Sequence, residues 1–408
     1  MTSEPPAPLR HLVISGIGLL TPLGMSGWST LRSLLEGRTV ADRLAELPED
    51  VDPVSLAKAT ASVACAAHAP TDPAIVLAER AAREAMSDAG IEPNSAQARE
   101  TVCVLASSKG AIMSILERRH GSRRHEALVL SPHGYLAATL RDRLGFGGVM
   151  APVAACATSL VALDLAARMV DRGDAKRALV VAVESAMHPI FIHSYQRLGA
   201  LAPVRPVNAH RALPLDQSRC GFTVCECAAA VMVERADQAT SPRPWAALHR
   251  TAVVTEPHDL VRAPERFTSL QRAAAVVTHD LDDIALVQPH ATATQDNDER
   301  ELRALQDALG SRGQDVPVYA SKGAIGHGLG AAGLVNVALG CLCARARSLP
   351  PMPWIENAIN SPFAIQRAGG RLGDGAHVCV AAGFGGHVGA VSLMPFASTV
   401  ARGHRDAQ

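Results

Sequence analysis

Apolar runs and amphipathic helical stretches alternate along the chain. Three short apolar runs have the length and composition of strands that are covered on both faces: 11–20, 101–106 and 177–185. Two stretches between them have a helical pattern that ends at or beside a glycine: 26–36 and 72–90. Asp72 is a suitable N-cap for the second. This alternation predicts an α/β fold in layers with mostly parallel sheets.

Proline-containing segments separate these elements. Residues 38–72 and 199–217 are predicted to be irregular. The segment 236–245 is the best linker, because it is polar and contains two prolines. It divides the chain into an N-terminal half, 1–240, and a C-terminal half, 241–408. No residue-level internal repeat accompanies this division.

The composition gives no general argument for nucleic-acid or membrane binding. The 408 residues include 39 basic and 39 acidic side chains, so an anionic partner must meet a local patch. Nine cysteines at irregular spacing, with an N-terminus unlike a signal peptide, indicate reduced thiols. The apolar run 11–24 is too short and too glycine-rich to span a bilayer. We therefore expect a soluble, cytoplasmic protein.

Cys156 is the first candidate for chemistry. Small residues precede it and a helical stretch follows, so the backbone can make the sharp strand-to-helix turn that exposes a nucleophile. At the first turn of that helix, the thiol would lie at the positive end of the helix dipole, which favours the thiolate. The local sequence alone fits an inert buried cysteine equally well, because small residues beside a cysteine are common in cores.

Four segments together resemble the β-ketoacyl synthases, the condensing enzymes of fatty-acid and polyketide assembly. They are Ala-Cys156-Ala-Thr-Ser-Leu-Val-Ala-Leu, His290-Ala-Thr-Ala-Thr294, Ser-Lys322-Gly-Ala-Ile-Gly-His327-Gly-Leu-Gly-Ala-Ala-Gly, and Ala-Gly-Phe384-Gly-Gly-His-Val-Gly. A single loop histidine is weak support, but these segments in matching order are a strong signal. The resemblance covers about residues 10–395. It implies a thiolase-like fold with two pseudo-equivalent α/β halves in a layered αβαβα arrangement.

The resemblance also implies the roles of the catalytic residues. Cys156 attacks an acyl thioester, and the backbone N–H groups of Cys156 and Phe384 form the oxyanion hole. His290 and His327, held neutral in a buried pocket, stabilise the enolate left when a malonyl thioester loses carbon dioxide. Lys322 orders the site by hydrogen bonding, with Glu226 as its plausible partner.

Binding residues follow from the same resemblance. Thr292 and Thr294 bind the amides of a phosphopantetheine arm, and Phe384 gates the acyl pocket with help from flanking glycines such as Gly385. No other cofactor is expected, since the substrates are carried on an acyl carrier protein. Lys109 is expected to line the acyl pocket.

Two further groups of residues have alternative interpretations. The dense basic run Arg118, Arg119, Arg123 and Arg124 is either a solvated helix end or a docking site for the acidic carrier protein. Cys220, Cys225 and Cys227 could suggest a metal site, but their spacing differs from that of a zinc ribbon and their segment is apolar. We expect no metal there.

The chain departs from the family pattern at several positions. Ala291 replaces a glycine, Asn336 stands where many bacterial members have an acid, and His387 follows the C-terminal glycine loop. Lys109 replaces an apolar or small pocket residue, and burying an unpaired ammonium is costly. These changes favour specialised, polyketide-like substrates over long saturated acyl chains.

Three other functions remain in competition. A thiolase would need a second cysteine near His387, so that function is disfavoured. A non-catalytic chain-length factor usually lacks the nucleophile that is present here. An acyltransferase or thioesterase on the same scaffold would use Cys156 without decarboxylation. By resemblance we expect a dimer, either of two identical chains or with a second ketosynthase-like subunit.

Overall fold

The computed structural model describes residues 9, 11–48, 51–65, 71–117, 124–204, 206, 211–256 and 261–396. The described strands are β1 Leu12–Leu20, β2 Thr101–Ala106, β3 Gly148–Met150, β4 Arg177–Glu184, β5 Cys227–Arg235, β6 Ala246–Thr255, β7 Ile284–Gln288, β8 Ser348–Leu349, β9 Gly370–Arg371, β10 Ala376–Gly383 and β11 His387–Pro395. The described helices are α1 Gly27–Leu35, α2 Pro53–Ala61, α3 Pro73–Asp88, α4 Ala96–Arg99, α5 Met113–Leu116, α6 Arg124–Leu144, α7 Thr158–Arg172, α8 Pro189–Arg197, α9 Thr268–Val277, α10 Gln295–Leu309, α11 Lys322–Ile325 and α12 Ala332–Ala346.

Nine strands form one continuous hydrogen-bonded sheet in the order β3-β2-β4-β5-β1-β6-β11-β10-β7. The pairing in its first half is repeated in its second. β1 lies antiparallel to β5, β5 antiparallel to β4, and β4 parallel to β2. In the same way β6 pairs antiparallel with β11, β11 antiparallel with β10, and β10 parallel with β7. A repeat that is not detectable in the amino-acid sequence is therefore visible in the order and direction of the strands.

The expectation of mostly parallel sheets was wrong. Parallel pairs occur only towards the outer ends of the described sheet, and the pairs near its middle are antiparallel. One cause is the turn between β10 and β11, because three residues cannot make the crossover that a parallel pair needs. The two halves meet through a short antiparallel contact, Val13 opposite Ala247 and Ile14 opposite Ala246. The prediction of a division at 240/241, between β5 and β6, is not tested by this contact.

Helices cover the sheet in layers, as the thiolase-like arrangement requires. α3 packs on β1 and β5, while α9 packs on β6 and β11. Contact between α3 and β1 is so close that a Cβ atom on Gly16 would lie 2.2 Å from the carbonyl oxygen of Ala85. α7 and α12 pack against each other and touch strands of both halves, so they form the central layer.

α12 is the most apolar element of the central layer. Among the described residues, one helical stretch is long and apolar enough to cross a membrane, 329–346. It is 83% buried inside the fold, which is the environment of a core helix. Its contacts with α1, α7, β5 and β10 account for that burial.

Most predicted elements of the N-terminal half are present. Ser26 and Asp72 cap α1 and α3, and Gly37 and Gly90 adopt positive φ just after these helices. The region 38–72 was predicted to be irregular, but it contains a 3₁₀ helix, Val40–Glu46, and α2. Asp52 caps α2 ahead of a proline in its first turn, a recognised helix-start pattern.

Candidate active site

Cys156 lies in a tight turn between β3 and α7. The turn is a 3₁₀ segment, Ala155–Ala157, and Ala155 adopts a positive φ of 47°. The hydroxyl of Thr158 accepts from the Ala154 N–H at 2.8 Å and donates to the Ala155 carbonyl at 2.6 Å. The small residues noted in the sequence thus build a sharp turn ahead of the helix. The sequence predicted Cys156 within the first turn of α7, but the residue precedes that helix.

The Cys156 thiol is protonated in the resting site. Its burial raises the pKa to about 11, which outweighs the opposite effect of the Lys322 and Lys109 charges. The prediction of a thiolate stabilised by the helix end was therefore wrong, because the free energy lost on removing a thiolate from water exceeds the stabilisation that the nearby positive charges provide. Attack on a thioester requires a proton acceptor at the site.

Two histidines from the C-terminal half lie beside this thiol. His290 follows β7 and His327 follows α11, and both are buried. Their ring centroids are 5.3 Å apart at 78°, and one ligand atom each of Cys156, His290 and His327 lies within 4.8 Å of the others. Burial, followed by the Lys322 charge, lowers the pKa of both imidazoles well below its usual value. At neutral pH both rings are therefore neutral.

Backbone bonds and an aromatic contact hold His327 in place. Its N–H donates to the Thr223 carbonyl at 2.6 Å, and its carbonyl accepts from the Cys225 N–H at 3.1 Å. The ring packs edge-on against Phe222, with centroids 4.9 Å apart at 90°. Phe222 in turn makes an edge contact with Tyr195. A row of three side chains therefore connects α8 to the catalytic histidine.

Buried acids from α10 hold the His290 loop. The Glu301 carboxylate accepts the N–H groups of His290 at 2.5 Å and Ala291 at 2.7 Å. Asp298 accepts the N–H of Ala293 at 3.1 Å. Sequence analysis did not find either acid, because Gln-Asp-Asn-Asp-Glu-Arg-Glu is typical of an exposed helix. The three-residue spacing of Asp298 and Glu301, one helical face, was the available signal.

Lys322 acts within this acidic network. Its ammonium donates to the carbonyl of His290, and both residues are buried. Burial lowers the pKa of Lys322, while Glu301 makes the largest opposing contribution. Glu226, the partner predicted from the sequence, accepts hydrogen bonds from the Val63 N–H at 3.0 Å and the Ser185 hydroxyl at 2.6 Å. Glu301 is the acid that sequence reasoning missed.

A cavity of ≈ 560 Å³ opens onto the cysteine and both histidines. Its lining includes four residues predicted to bind substrate, Thr292, Thr294, Phe384 and Gly385, and it also includes His387. The hydroxyls of Thr292 and Thr294 lie 3.0 Å apart. Gly385 and Gly386 both adopt positive φ, which gives the loop of Phe384 a backbone that other residues rarely allow.

The remaining predicted residues are placed elsewhere. Lys109 does not line the cavity; its ammonium lies 5.5 Å from the Phe191 ring centroid and 3.5 Å from the Ser108 hydroxyl. Glu226 is also outside the lining. Arg118, Arg119 and Arg123 lie outside the described residues, and Arg124 is exposed at the start of α6.

Sequence comparisons identify related families along most of the chain. The model for the N-terminal domain of beta-ketoacyl synthases matches residues 9–239, and that for the C-terminal domain matches residues 249–356. A 3-oxoacyl-[acyl-carrier-protein] synthase 2 of Coxiella burnetii is 25% identical over 379 residues, or 85% of this chain and 89% of the relative. A putative polyketide beta-ketoacyl synthase 1 of Streptomyces cyaneus is 27% identical over 380 residues, 84% and 87% of the two chains.

Solved structures show the same fold. A type II polyketide synthase ketosynthase, solved with its acyl-carrier protein and bound to a hexaketide, superposes with a TM-score of 0.77 at 19% identity. The match covers 96% of this chain and 100% of that one. The oxazolomycin ketosynthase domain KS7 of Streptomyces albus gives a TM-score of 0.76 at 20% identity, over 95% and 75% of the two chains.

Proposed function

Because the chain belongs to the β-ketoacyl synthase family, we propose that it catalyses decarboxylative Claisen condensation. An acyl group carried on Cys156 would react with a malonyl group delivered by an acyl carrier protein. The observation that carries the proposal is the meeting of Cys156, His290 and His327 within 4.8 Å at a cavity of ≈ 560 Å³. A thiol beside two neutral imidazoles suits both halves of this reaction.

The first half is acyl transfer to Cys156. The thiol gives its proton to a neighbouring imidazole as sulfur bonds to the thioester carbon. The carbon–sulfur bond of the carrier's thioester breaks, and the departing thiolate takes up that proton. The N–H groups of Cys156 and Phe384 are the proposed oxyanion donors, and each such donor is typically worth ~3 kcal/mol in the transition state. Close packing of Gly383 on the Cys156 turn supports this pairing.

The second half is decarboxylation and carbon–carbon bond formation. Cleavage of the carboxylate from the malonyl group releases carbon dioxide and leaves an enolate. His290 and His327 would donate Nε2–H to the enolate oxygen, and rings with lowered pKa do so without protonating the carbanion. The enolate carbon attacks the acyl carbonyl, the bond to Cys156 breaks, and the released thiolate takes up a proton from solvent to restore the thiol.

We infer that Lys322 and the α10 acids are positioning residues. Lys322 donates a hydrogen bond to the carbonyl of His290, and Glu301 accepts one from the N–H of His290. Together they fix the ring that faces the cavity, and the Lys322 charge helps to keep both imidazoles neutral.

The acyl substrate is proposed to carry oxygen atoms, as polyketide-like intermediates do. The hydroxyl of Tyr195 supports this class, because the residue lines the cavity together with Cys156. Burial raises the pKa of Tyr195, so the hydroxyl stays a hydrogen-bond donor at neutral pH. A long saturated chain would desolvate this hydroxyl.

A carrier protein and a second subunit are the proposed partners, in the cytoplasm, and the proposed reaction uses no metal or other cofactor. The basic run Arg118, Arg119, Arg123 and Arg124 is the proposed carrier docking site. Support for a dimer comes from the sheet, because β3 is an edge strand of the described residues. Met150 in this strand and Val153 just after it are 43% and 53% exposed. An exposed apolar edge favours pairing with another chain.

The decisive experiment compares the pure protein with Cys156→Ala and His327→Asn. Acyl-carrier and malonyl-carrier substrates are supplied, and three readouts are followed: acylation of Cys156 by mass spectrometry, carbon dioxide release, and 3-oxoacyl product. Wild type is expected to give all three. Cys156→Ala should lose acylation, and His327→Asn should keep acylation while losing carbon dioxide release.

Other results would assign another function. Acylation of wild type without carbon dioxide release would support an acyltransferase or thioesterase. Absence of acylation, with or without a second subunit, would support a chain-length-factor-like partner.

Replacing the arginines of the basic run by glutamate should raise KM for the carrier protein and leave reaction with a free pantetheine thioester unchanged.

A further inference from the structure

The catalytic residues also form a donor set for a soft or borderline divalent cation. We propose that Cys156, His290 and His327 bind Zn²⁺ through one sulfur and two nitrogens, and that the bound ion blocks the thiol. Their ligand atoms lie within 4.8 Å of one another, and the three residues are 8%, 4% and 1% exposed. Zinc in proteins is bound by cysteine sulfur and histidine nitrogen, and catalytic zinc sites have three protein ligands with the fourth position open.

The geometry needs only small side-chain movements. With Zn–S near 2.3 Å and Zn–N near 2.0–2.1 Å, donors around a tetrahedral ion are about 3.5 Å apart. The three ligand atoms lie within 4.8 Å of one another, so binding would require them to move closer together. The fourth position would face the cavity of ≈ 560 Å³, where water or a substrate thiol can complete the coordination.

The histidines are ready to coordinate metal. Both rings are buried, and each offers a nitrogen within 4.8 Å of the Cys156 sulfur. Cys156 would exchange its thiol proton for the zinc–sulfur bond, and that proton passes to solvent. No oxidation or reduction takes part. The Nδ1 atoms of both rings are buried without a hydrogen-bond partner, so no contact among the described residues restrains ring orientation through them.

Of the surrounding charges, some disfavour binding of the ion and others favour it. Lys322 acts on Cys156, His290 and His327 and disfavours a second cation. Glu301 and Asp298, both buried, lie close enough to act on Lys322 and offset part of its charge. The affinity should therefore fall below that of structural zinc sites, and the ion should be removable by chelators. Mg²⁺ and Ca²⁺ prefer oxygen ligands and should not compete.

The test measures metal binding without any substrate. The full-length protein is titrated with Zn²⁺ against a chromophoric chelator, and Co²⁺ is added separately to detect the thiolate-to-cobalt absorption band. One Zn²⁺ per chain is expected, with the cobalt band present. Cys156→Ser and His327→Asn should each weaken zinc binding by roughly 100-fold or more, since even outer-shell changes cost 10–100-fold.

Cys220→Ser is the matched control, because its thiol lines the same cavity but is exposed and outside the triplet. It should leave zinc binding unchanged. Zinc binding that survives Cys156→Ser, or that is lost in Cys220→Ser, would overturn the proposal. So would a wild-type protein without the cobalt band. Circular dichroism of each variant shows whether it is folded, and His327→Asn retains the thiol in case Cys156→Ser unfolds.

This inference stands apart from the proposed condensation. Zinc binding without condensation would leave the metal proposal intact and remove the proposed function, and the converse result would do the opposite. If both hold, added zinc should slow acylation of Cys156, and a chelator should restore it.

Discussion

Ala291 differs from the family pattern, yet the loop that it shares with His290 is preserved. By resemblance to the family it stands in place of a glycine, and it adopts a φ of 39° although it is completely buried. The structure shows that this residue has a strained backbone. Such a conformation costs an L-residue roughly 1–2 kcal/mol. The bonds from Glu301 to His290 and Ala291 hold it there.

Ala291→Gly should therefore be close to neutral for stability. Relief of strain offsets the lost methyl contact and the greater freedom of glycine in the unfolded chain, so the free energy of unfolding should stay within about 1 kcal/mol of wild type. Ala338→Gly is the control, because Ala338 is equally buried but lies in the middle of α12. It should lose about 1–2 kcal/mol. Chemical denaturation measures both, and an equal loss at the two sites would contradict the strain.

Glu301 gives a pH dependence whose direction can be derived. Burial raises its pKa to about 7 from the usual 4.5. A group with a raised pKa stabilises the folded protein fully at low pH, and that contribution is lost as the pH rises through the folded value. The free energy of unfolding of wild type, minus that of Glu301→Gln, should therefore fall between about pH 5 and pH 8.

Denaturant melts at several pH values measure this difference. Asp307→Asn is the control, because Asp307 is exposed on the same helix, α10. Its difference from wild type should have no such slope. A Glu301→Gln difference that stays constant or rises with pH would mean that Glu301 is ionised in the folded protein throughout this range.

Tyr195 carries the prediction about substrate class. Tyr195→Phe removes one hydroxyl from the cavity and keeps the ring that packs on Phe222. Turnover of acyl groups with a 3-oxygen should fall by about tenfold, the effect of one lost hydrogen bond near 1.4 kcal/mol. Saturated acyl groups of the same length should react at an unchanged or higher rate. Parallel kcat/KM measurements decide it, and an equal loss for both classes would assign the hydroxyl a structural role.

At the residue scale, the sequence predicted the nucleophile and the two histidines but not their electrostatic surroundings. Cys156, His290 and His327 stand in recognisable local patterns. Asp298 and Glu301 lie in a charged stretch with no motif, and only the fold buries them. The pKa of Cys156 could not be derived either, because burial depends on contacts between distant parts of the chain.

At the element scale, the end of β10 determines the position of the nucleophile. A Cβ atom on Gly383 would lie 2.6 Å from the Ala154 carbonyl oxygen and 3.1 Å from the Cys156 nitrogen. Gly383→Ala must therefore displace the Cys156 turn from the backbone of the Phe384 loop. Acylation of Cys156 should slow by about 100-fold, the effect of one lost oxyanion donor, and the protein should lose about 1–3 kcal/mol of stability.

Gly370→Ala is the matched control, since a Cβ atom on Gly370 would meet no other atom within 4 Å and β9 is exposed. It should react and unfold like wild type. Acylation is followed by mass spectrometry at fixed times. A Gly383→Ala protein that acylates normally would show that the turn and the loop do not need this close contact.

Elements were predictable where the local signal was strong. β1, α1, α3, β2 and β4 lie where the apolar runs and caps placed them. The sequence did not predict α2, because its prolines and alanines favour an irregular segment, although Asp52-Pro53 is a helix-start signal. Strand direction could not be obtained from periodicity, because an apolar strand has the same pattern in parallel and antiparallel pairs.

At the scale of the whole molecule, duplication explains why the site lies where it does. Equivalent strands of the two halves meet at β1 and β6, and the central helices α7 and α12 pack between them. Cys156 precedes α7 in the first half, and His327 lies just ahead of α12 in the second. Packing of these two helices therefore brings nucleophile and histidine together, although 171 residues separate them in the sequence.

The exposed edge strand of the N-terminal half, β3, leads to a prediction about the subunit contact. If a second subunit covers β3, wild type should sediment as a dimer and Val153→Glu as a monomer, because a carboxylate buried at an apolar contact loses its hydration. Met394→Glu is the control: Met394 is also partly exposed, at 38%, but lies on β11 in the other half of the sheet. It should leave the mass unchanged. A monomeric wild type, or a Val153→Glu protein that remains a dimer, would place the subunit contact away from this edge.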